Sequence, residues 1–448
     1  MSEADDKPVL IVGGGWAGLA AGVELARAGQ AVTLLESARQ AGGRARRVAL
    51  KTGESGHLTI DNGQHLLLGA CHTLLELLDI VGVPRERLLR RPLQLHLRHL
   101  RGRDLKLTTP PLPAPLHLLA ALLGASGLSL RERLAALRPG RLLARQAWQP
   151  EPDISVAALL QRLRQPAHLI GALWEPLCLA IMNTPPREAS ARLFLRVLRD
   201  VFLQRRADAD LLLARTDLGS LFPDPAIQYI EQRDGHLHLG MRVQALAIEQ
   251  GRIQGVRVED SFIPARQVVL ATSIPATLDL IRGHAALAPL HARLSRFRFE
   301  PITTLYLQYP PGVRLPQPML GVIGGQAQWL FDRRHCDQPG LIAVIISSRG
   351  PHMQAGPEQL GEAIAAELAR LFPDWPAPLS RHVIREKRAT FSSQVGIDAL
   401  RPGNATPVEG LWLAGDYTAT GYPATLEGAV RSGVQCAASI AQQSPPSC

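Results

Sequence analysis

Three glycines near the start of the sequence have a spacing that suits them to bind a dinucleotide. Gly13, Gly15 and Gly18 follow an apolar run at residues 9–12 and open a segment with helical periodicity. The first glycine of such a pattern permits a tight turn, the second lets a pyrophosphate approach the backbone, and the third lets the helix pack closely on the strand. The positive end of the helix also favours phosphates. The segment therefore predicts a dinucleotide site.

A carboxylate completes this pattern. Glu36 ends the next apolar run, residues 31–36, and lies eighteen residues after Gly18. It can accept hydrogen bonds from ribose hydroxyls, whereas its charge repels the 2′-phosphate of NADP. Strand, helix and second strand form a βαβ unit of about thirty residues. A glycine-rich turn without a ligand is the alternative, but it explains neither the strand–helix context nor the acid.

Two further motifs decide between NAD and FAD. Gly-Gly-Arg at 42–44 resembles the R-x-G-G-R segment that follows the fingerprint in FAD-containing amine oxidases and phytoene desaturases, with Arg39 standing only loosely for the first arginine. Gly415 and Asp416 resemble the C-terminal Gly-Asp motif of the same superfamily, in which the aspartate binds the ribityl chain of the flavin. The helix predicted from about residue 425 would direct its positive end at the flavin N1–C2=O edge and stabilise the reduced anion. The resemblance implies FAD.

Two segments from the middle of the chain agree with this assignment. Val243 lies where these enzymes contact adenine through a valine backbone, and residues 270–272 resemble the end of their central strand. An ordinary buried strand explains each of them equally well. The predicted cofactor-binding residues are Gly13, Gly15, Trp16, Ala17, Gly18, Glu36, Gly42, Gly43, Arg44, Gly63, Gln64, His65, Val243, Ala271, Gly415, Asp416, Thr425 and Leu426.

The elements that carry these residues lie at the start, middle and end of the chain, so we expect domains that are interleaved in sequence. The predicted fold class is α/β, a two-dinucleotide-binding-domain flavoprotein with a Rossmann-like FAD domain of the GR2 type. It is interleaved with an α+β substrate domain and a helical region suited to a membrane surface. The expected boundaries are 1–84, 216–285 and 391–442 for the FAD domain, 85–215 for a mostly helical substrate or membrane region, and 286–390 for a substrate sheet and helix.

Composition limits the classes of partner. The 448 residues carry a formal net charge of +10 and only 4% aromatic residues, which argues against recognition of nucleic acid by base stacking. An anionic membrane surface fits the charge, and the arginine bias of a GC-rich genome explains it equally well. The five cysteines have no metal-ligand spacing, so we expect reduced thiols in a cytoplasmic protein and no metal. Neither a secretory signal nor a spanning helix is expected.

Several less general segments resemble the squalene-associated FAD-dependent desaturase family, which is understood as the hydroxysqualene dehydroxylase family and is similar to phytoene desaturases. The strongest are residues 60–65 (Ile-Asp-Asn-Gly-Gln-His) and 421–430 (Gly-Tyr-Pro-Ala-Thr-Leu-Glu-Gly-Ala-Val). Residues 217–224 resemble its central G-L…L-F-P segment, and residues 174–178 with 183–185 resemble its helical substrate region. The resemblance runs essentially from end to end. Thr216 and Asp217 depart from it, since a glycine pair is expected there.

The resemblance implies reductive removal of the hydroxyl from hydroxysqualene, which gives squalene for hopanoid synthesis. The allylic C–O bond would ionise with proton assistance, and hydride from reduced flavin would quench the carbocation. An external donor must then supply the electrons. A desaturase or amine oxidase would run the flavin in the oxidative direction, and a non-catalytic flavin- or lipid-binding partner of a squalene synthase is an alternative of another class.

The first candidate for the proton donor is His65, because its loop should pass the flavin ring. Tyr417 is the second predicted catalytic residue, and Tyr422 and Glu175 are further candidates. A hydrogen-bonded structural histidine is the ordinary interpretation of His65.

Residues 85–143 are predicted to contact the membrane, because a thirty-carbon substrate must be collected from lipid. This block contains a short apolar run flanked by arginines, which can lie in the headgroup boundary. The leucines of the run are Leu116, Leu118, Leu119, Leu122 and Leu123. The expected location is cytoplasmic and peripheral, on the inner face of the cell membrane. The alternative is that these leucines pack in the core and the arginines form a solvated face.

Overall fold

The computed structural model describes residues 8–52, 56–143 and 150–443. The strands are β1 (Val9–Val12), β2 (Val32–Glu36), β3 (Arg47–Thr52), β4 (Gly56–Asp61), β5 (Leu67–Leu68), β6 (Leu88–Arg91), β7 (Gln94–His99), β8 (Leu105–Thr108), β9 (Leu211–Ala214), β10 (His236–Leu239), β11 (Val243–Glu249), β12 (Arg252–Val258), β13 (Ser261–Pro264), β14 (Val268–Leu270), β15 (Phe299–Gln308), β16 (Met319–Ile323), β17 (Trp329–Asp332), β18 (Leu341–Ser347), β19 (Ser380–Phe391) and β20 (Leu411–Leu413). The helices are α1 (Trp16–Arg27), α2 (His72–Ile80), α3 (Leu116–Leu123), α4 (Leu130–Ala136), α5 (Arg138–Leu143), α6 (Val156–Arg162), α7 (Ala167–Leu169), α8 (Glu175–Met182), α9 (Ala191–Phe202), α10 (Leu218–Leu221), α11 (Pro223–Glu231), α12 (Ile274–Ile281), α13 (Ala288–Leu294), α14 (Pro357–Leu371) and α15 (Leu426–Gln443).

A parallel sheet of five strands, in the order β10-β2-β1-β14-β20, carries the nucleotide-binding motifs. Strands β1 and β14 are buried along their whole length, as continuous runs of branched apolar residues predict for a sheet covered on both faces. Because the strands come from the start, middle and end of the chain, the predicted interleaving is confirmed. The exact domain boundaries stay predictions.

Helices α1 and α15 pack against each other on one face of this sheet. Their close approach depends on Gly433, where a Cβ atom would lie 2.2 Å from the Ala17 carbonyl oxygen. Both helices follow strands of the parallel sheet, so they begin at its carboxyl edge, which is where ligands bind in open α/β sheets.

A second, mixed sheet has the order β19-β15-β18-β17-β16-β7-β8. Two of its strands, β7 and β8, come from the region predicted to be mostly helical, and for residues 88–108 that prediction is wrong. Leucines occupy alternate positions there, at 95 and 97 and again at 105 and 107, and residues 105–108 alternate between buried and exposed. This period of two is that of a strand with one buried face. The helices of the region lie between α3 and α9.

Helices α3 and α4 pack together, and these helices with the segment just before α3 expose six leucines, which we call the leucine patch. The six members of this patch are 39–68% exposed, and they are Leu112, Leu116, Leu119, Leu123, Leu130 and Leu134. Two leucines predicted to belong to the membrane-facing run lie elsewhere: Leu122 is buried, and Leu118 packs against the core. The helical period of 3.6 residues explains the split, since positions 116, 119 and 123 share a face from which 122 is excluded. No helix within the described residues is long and apolar enough to cross a membrane.

Candidate flavin site

The phosphate-binding turn connects β1 to α1 and is held tightly by its neighbours. Gly13 has φ of +110°, and a Cβ atom there would lie 2.7 Å from the Ala271 carbonyl oxygen. At Gly18 a Cβ atom would lie 2.0 Å from the Gly13 carbonyl oxygen, so helix and turn are in contact. Ala271 donates its N–H to the Val12 carbonyl at 2.8 Å, which places this predicted residue against the turn. The sequence assignments of Gly13, Gly18 and Ala271 therefore agree with the geometry.

Gly15 is different, because it has open space in front of it. The nearest atom to a Cβ built on Gly15 is the Gly43 Cα, 4.0 Å away. Gly14 accepts a hydrogen bond from the Gly42 N–H at 2.8 Å, which holds the second glycine motif against the first. Two backbones without side chains thus face a common space at the start of α1, and this cradle suits a pyrophosphate.

We expect Gly15→Ala to fold normally and to bind FAD more weakly. The added methyl meets no protein atom, but it occupies the space of the pyrophosphate, and such overpacking costs about 1–3 kcal/mol, or roughly 5- to 150-fold in affinity. FAD titration of the apoprotein measures the affinity, and circular dichroism the fold. In Gly18→Ala, by contrast, the methyl meets the Gly13 carbonyl, so this variant should lose thermal stability. Unchanged FAD affinity in Gly15→Ala would place the pyrophosphate elsewhere.

Glu36 is fixed at the end of β2 beside a cavity of about 510 Å³. Its Oε2 accepts the Gly14 N–H and its Oε1 accepts the Ala38 N–H, both at 2.7 Å. The other residues that line the cavity are Ala38, Arg39, Gln40, Gly43 and Arg46. Its size and its carboxylate fit the adenosine half of a dinucleotide.

Val243 begins β11 close to this cavity. The residues just before it are tied to the Glu36 region, since the Met241 N–H donates to the Glu36 carbonyl and the Gly240 N–H to the Ala38 carbonyl, both at 2.9 Å. Val243 itself is buried. These bonds place the start of β11 near the Glu36 cavity, and the contact of Val243 with adenine stays a prediction.

The two charged residues of the remaining motifs meet in space. Arg44 and Asp416 are 372 residues apart in sequence, and Arg44 Nη2 lies 2.8 Å from Asp416 Oδ1. Arg44 also donates to the Ala389 carbonyl at 2.7 Å. The charge of Asp416 raises the pKa of the Arg44 guanidinium above its ordinary value. A cation between the glycine cradle and Asp416 fits a pyrophosphate on one side and ribityl hydroxyls on the other.

Helix α15 begins shortly after Asp416, and Thr425 precedes its first residue, Leu426. The Thr425 hydroxyl accepts the Gly428 N–H at 3.1 Å, which caps the helix. Gly415 is anchored to the same helix, because its N–H donates to Ser432 Oγ at 2.9 Å. The Gly-Asp motif and the N-terminus of α15 therefore form one unit.

Trp16 and Ala17 provide the first turn of α1, and both are buried. The Trp16 indole donates to the Ala45 carbonyl at 2.9 Å. The side chain of Trp16 thus fixes the segment after Gly43, while the N–H groups of this turn are the ones that a phosphate can use.

The loop that carries His65 lies beside Arg44. Asn62 Nδ2 donates to the Arg44 carbonyl at 3.1 Å. His65 Nδ1 lies 2.7 Å from the Gly63 carbonyl, which can only accept, so Nδ1 carries the proton and Nε2 is the free nitrogen. Burial lowers the pKa of His65, and the charge of Arg44 adds to this effect. The imidazole is therefore neutral near pH 7.

A buried ion pair supports the His65 loop and could not be inferred from sequence. Arg333 Nη1 lies 2.8 Å from both Asp61 Oδ2 and Gln64 Oε1, and the side chains of the ion pair are 1% and 3% exposed. Tyr306 donates its hydroxyl to the Asp61 carbonyl at 2.8 Å. Gln64, predicted to contact the cofactor, is thus committed through its side-chain oxygen to Arg333.

The remaining candidates for the proton donor are Tyr417, Tyr422 and Glu175, and they lie in three different environments. Tyr417 is 1% exposed, its hydroxyl lies 3.4 Å from Thr277 Oγ1, and burial raises its pKa, so its catalytic role stays a prediction. The Tyr422 hydroxyl donates to Asp200. Glu175 is exposed in the first turn of α8. Asp217, where a glycine was expected, caps α10 by accepting the Ser220 N–H.

Residues 16–441 match the family of flavin-containing amine oxidoreductases, and the chain belongs to this family. It is 31% identical over 450 residues to hydroxysqualene dehydroxylase from Rhodopseudomonas palustris, an alignment that covers 96% of this chain and 97% of that protein. It is 23% identical over 459 residues to 15-cis-phytoene desaturase from Glycine max, covering 97% of this chain and 80% of that protein. The predicted family is confirmed.

Among solved structures, an oxidoreductase from Methanosarcina mazei superimposes with a TM-score of 0.75 at 16% identity, covering 97% of this chain and 99% of that one. This likeness supports the fold. With the family and the site geometry, the predicted fold class, the cofactor FAD and the oxidoreductase class are confirmed.

Proposed function

We propose that this chain catalyses the FAD-dependent reductive dehydroxylation of hydroxysqualene to squalene, with electrons from an external donor. The observation that carries the proposal is the similarity to hydroxysqualene dehydroxylase along nearly the whole of both chains. The phytoene desaturase relative is more distant, so oxidative desaturation is the second candidate. The reaction consumes one proton and one hydride for each hydroxyl lost as water.

The residues around the cofactor have separable tasks. Gly15 and Gly43 leave space in which a pyrophosphate would fit, and Glu36 would accept hydrogen bonds from the ribose. Asp416 would hold the ribityl chain, and the N-terminus of α15 would hold the N1–C2=O edge of the flavin. When bound and reduced, the flavin supplies the hydride. His65 is the proposed proton donor: the neutral imidazole takes up a proton at its free Nε2, and the imidazolium so formed can protonate the departing hydroxyl from that atom.

Anaerobic turnover tests the reaction directly. The holoprotein, chemically reduced, is mixed with hydroxysqualene, and products are analysed by mass spectrometry while flavin absorbance is recorded. We expect one squalene for each flavin reoxidised. If the flavin stays reduced and no squalene forms, a non-catalytic flavin- or lipid-binding role replaces the proposal. If instead the oxidised protein dehydrogenates phytoene, or oxidises an amine with oxygen, the reaction runs in the oxidative direction.

We also propose that the enzyme is cytoplasmic and collects its substrate at the inner face of the cell membrane through the leucine patch. A hydrocarbon of thirty carbons has negligible solubility in water, so a surface that dips into lipid shortens its path. The side chain of Lys106 is exposed, and its backbone pairs with that of Ser126, which lies between α3 and α4 in sequence. Arg131 is exposed on α4. These cations favour an anionic leaflet, at about 1 kcal/mol each.

Vesicle flotation tests this surface. We expect the protein to bind vesicles that contain anionic lipid, less strongly at high salt, and the triple variant L116S/L119S/L123S to bind at least about tenfold more weakly, because burying one leucine contributes about 1.5–3 kcal/mol. The control L239S/F262S/L379S removes three apolar side chains outside the patch that are together more exposed than the three patch leucines. Equal binding by both triple variants, or no binding by the parent protein, would refute the proposed surface.

A further inference from the structure

Arg401 is a fully buried arginine that no motif singled out, and its side chain is 0% exposed. It lies between the short turn Ile397–Leu400 and Pro402, far in sequence from the glycine cradle. Nearly all buried charges in proteins are paired or hydrogen-bonded, because an isolated one is costly to desolvate. The partners of Arg401 therefore indicate what it holds in place.

Those partners belong to one stretch, the Asp416 loop (residues 416–422). Arg401 Nε donates to the Thr418 carbonyl at 2.7 Å, and Nη1 donates to the Tyr422 carbonyl at 2.6 Å. Nη2 donates to the Asp416 carbonyl at 3.0 Å and to Thr420 Oγ1 at 2.8 Å. A single guanidinium thus fixes every second residue of the loop that joins Asp416 to the capped start of α15.

The charge of Arg401 is only weakly balanced. Its single carboxylate partner among the described residues is Asp398, at 3.5 Å and 36% exposed. The carboxylate of Asp416 pairs with Arg44 instead. The Phe391 ring lies 5.2 Å from the guanidinium and screens it from water. Burial lowers the pKa of Arg401, and the charges of Asp398 and Asp416 oppose this only in part, yet an arginine stays protonated in proteins.

We propose that Arg401 is a positioning residue for the flavin: its hydrogen bonds set the shape of the Asp416 loop, and its buried positive charge raises the midpoint potential of the bound flavin. The proposal rests on FAD binding at Asp416 and α15, and it is independent of the substrate. A positive charge behind the loop favours the reduced anion over the neutral oxidised flavin, and a low dielectric strengthens this effect. Hydride transfer needs the flavin at a fixed distance from the substrate, so the loop that holds the flavin must itself be rigid.

The test measures FAD affinity and the midpoint potential of FAD-saturated protein. Arg401→Met removes both hydrogen bonds and charge, so FAD should bind about tenfold more weakly or worse, and the potential should fall. Arg401→Lys keeps the positive charge but cannot make the several hydrogen bonds of the guanidinium. The FAD affinity should therefore fall, while the midpoint potential stays near that of the parent. Asp398→Asn leaves the loop contacts intact and removes the counter-charge, so the potential should rise at unchanged affinity.

Arg293→Met is the matched control, since Arg293 donates to the Arg401 carbonyl but does not contact the Asp416 loop. It should change neither quantity. If Arg401→Met does not fold, Asp398→Asn still tests the charge and Arg401→Lys the loop. A potential that is the same in the parent, Arg401→Met and Asp398→Asn would overturn the electrostatic role. Parental affinity in Arg401→Met would overturn the positioning role.

Discussion

Replacing His65 with glutamine is expected to lower kcat, measured per bound flavin, by about 10²–10⁴-fold, the usual contribution of a positioned general acid. Glutamine keeps the size and a hydrogen bond to the Gly63 carbonyl, but it cannot release a proton from the position of Nε2. Because the flavin content is measured for each variant, a loss of cofactor cannot be mistaken for a loss of chemistry. Glutamine at His168, a half-exposed histidine paired with Glu132, is the control.

The pH dependence follows from the lowered pKa of His65. Above that pKa only a small fraction of the imidazole is protonated, and the fraction grows about tenfold for each pH unit of acidification. The rate should therefore rise as the pH falls towards the lowered pKa, which lies below the ordinary histidine value of about 6.5, and level off beneath it. H65Q should lose this rise. If H65Q keeps both the acid-side rise and the kcat of the parent, another group donates the proton.

Breaking the buried ion pair between Arg333 and Asp61 is expected to cost about 3–5 kcal/mol of unfolding free energy, because either single change leaves an uncompensated charge in the core. Arg333→Met also removes the partner of Gln64 and so loosens the His65 loop. Urea unfolding of the apoprotein measures the loss. The double variant R333M/D61N should recover part of it, since no charge is then left unpaired.

The chain provides a matched surface pair for comparison. Arg252 and Glu409 lie at the same N–O distance of 2.8 Å but are 62% and 63% exposed. Arg252→Met should therefore cost no more than about 1 kcal/mol. A similar cost for the buried and the exposed pair would contradict the assignment of Arg333 as an internal support of the flavin site.

Sequence reasoning located the parts of the flavin site whose chemistry is local. Gly13, Gly15 and Gly18 could be predicted because a tight turn, a phosphate contact and a closely packed helix each require a glycine. All three requirements fall within one segment of six residues. Arg44 and Asp416 were each predicted from a motif, but nothing in either motif indicates that they touch. Such contacts depend on how distant segments pack, which periodicity does not encode.

The support residues were missed for the same reason. Arg333 is 272 residues from Asp61, and Arg401 is one of many arginines in the sequence. The strands β7 and β8 had a detectable signal, the alternation of leucines, but the abundance of arginine and leucine also fits a helix. The leucine run was located by its composition, but composition does not tell which of its leucines are exposed. Their positions around the helix decide this, and they leave Leu119 exposed and Leu122 buried.

The interleaved sheet has a consequence for biosynthesis. Strands β1 and β2 leave the ribosome early, but β14 follows more than two hundred residues later and β20, the other neighbour of β14, only at Leu411–Leu413. Pairing across such separations is slow and leaves strand edges exposed meanwhile. Helix α1 can pack against α11 midway through synthesis, but its other large helix partner, α15, is made last. A nascent chain therefore holds its phosphate turn incomplete through most of translation, and FAD can act as a folding ligand only after synthesis has passed the start of α15.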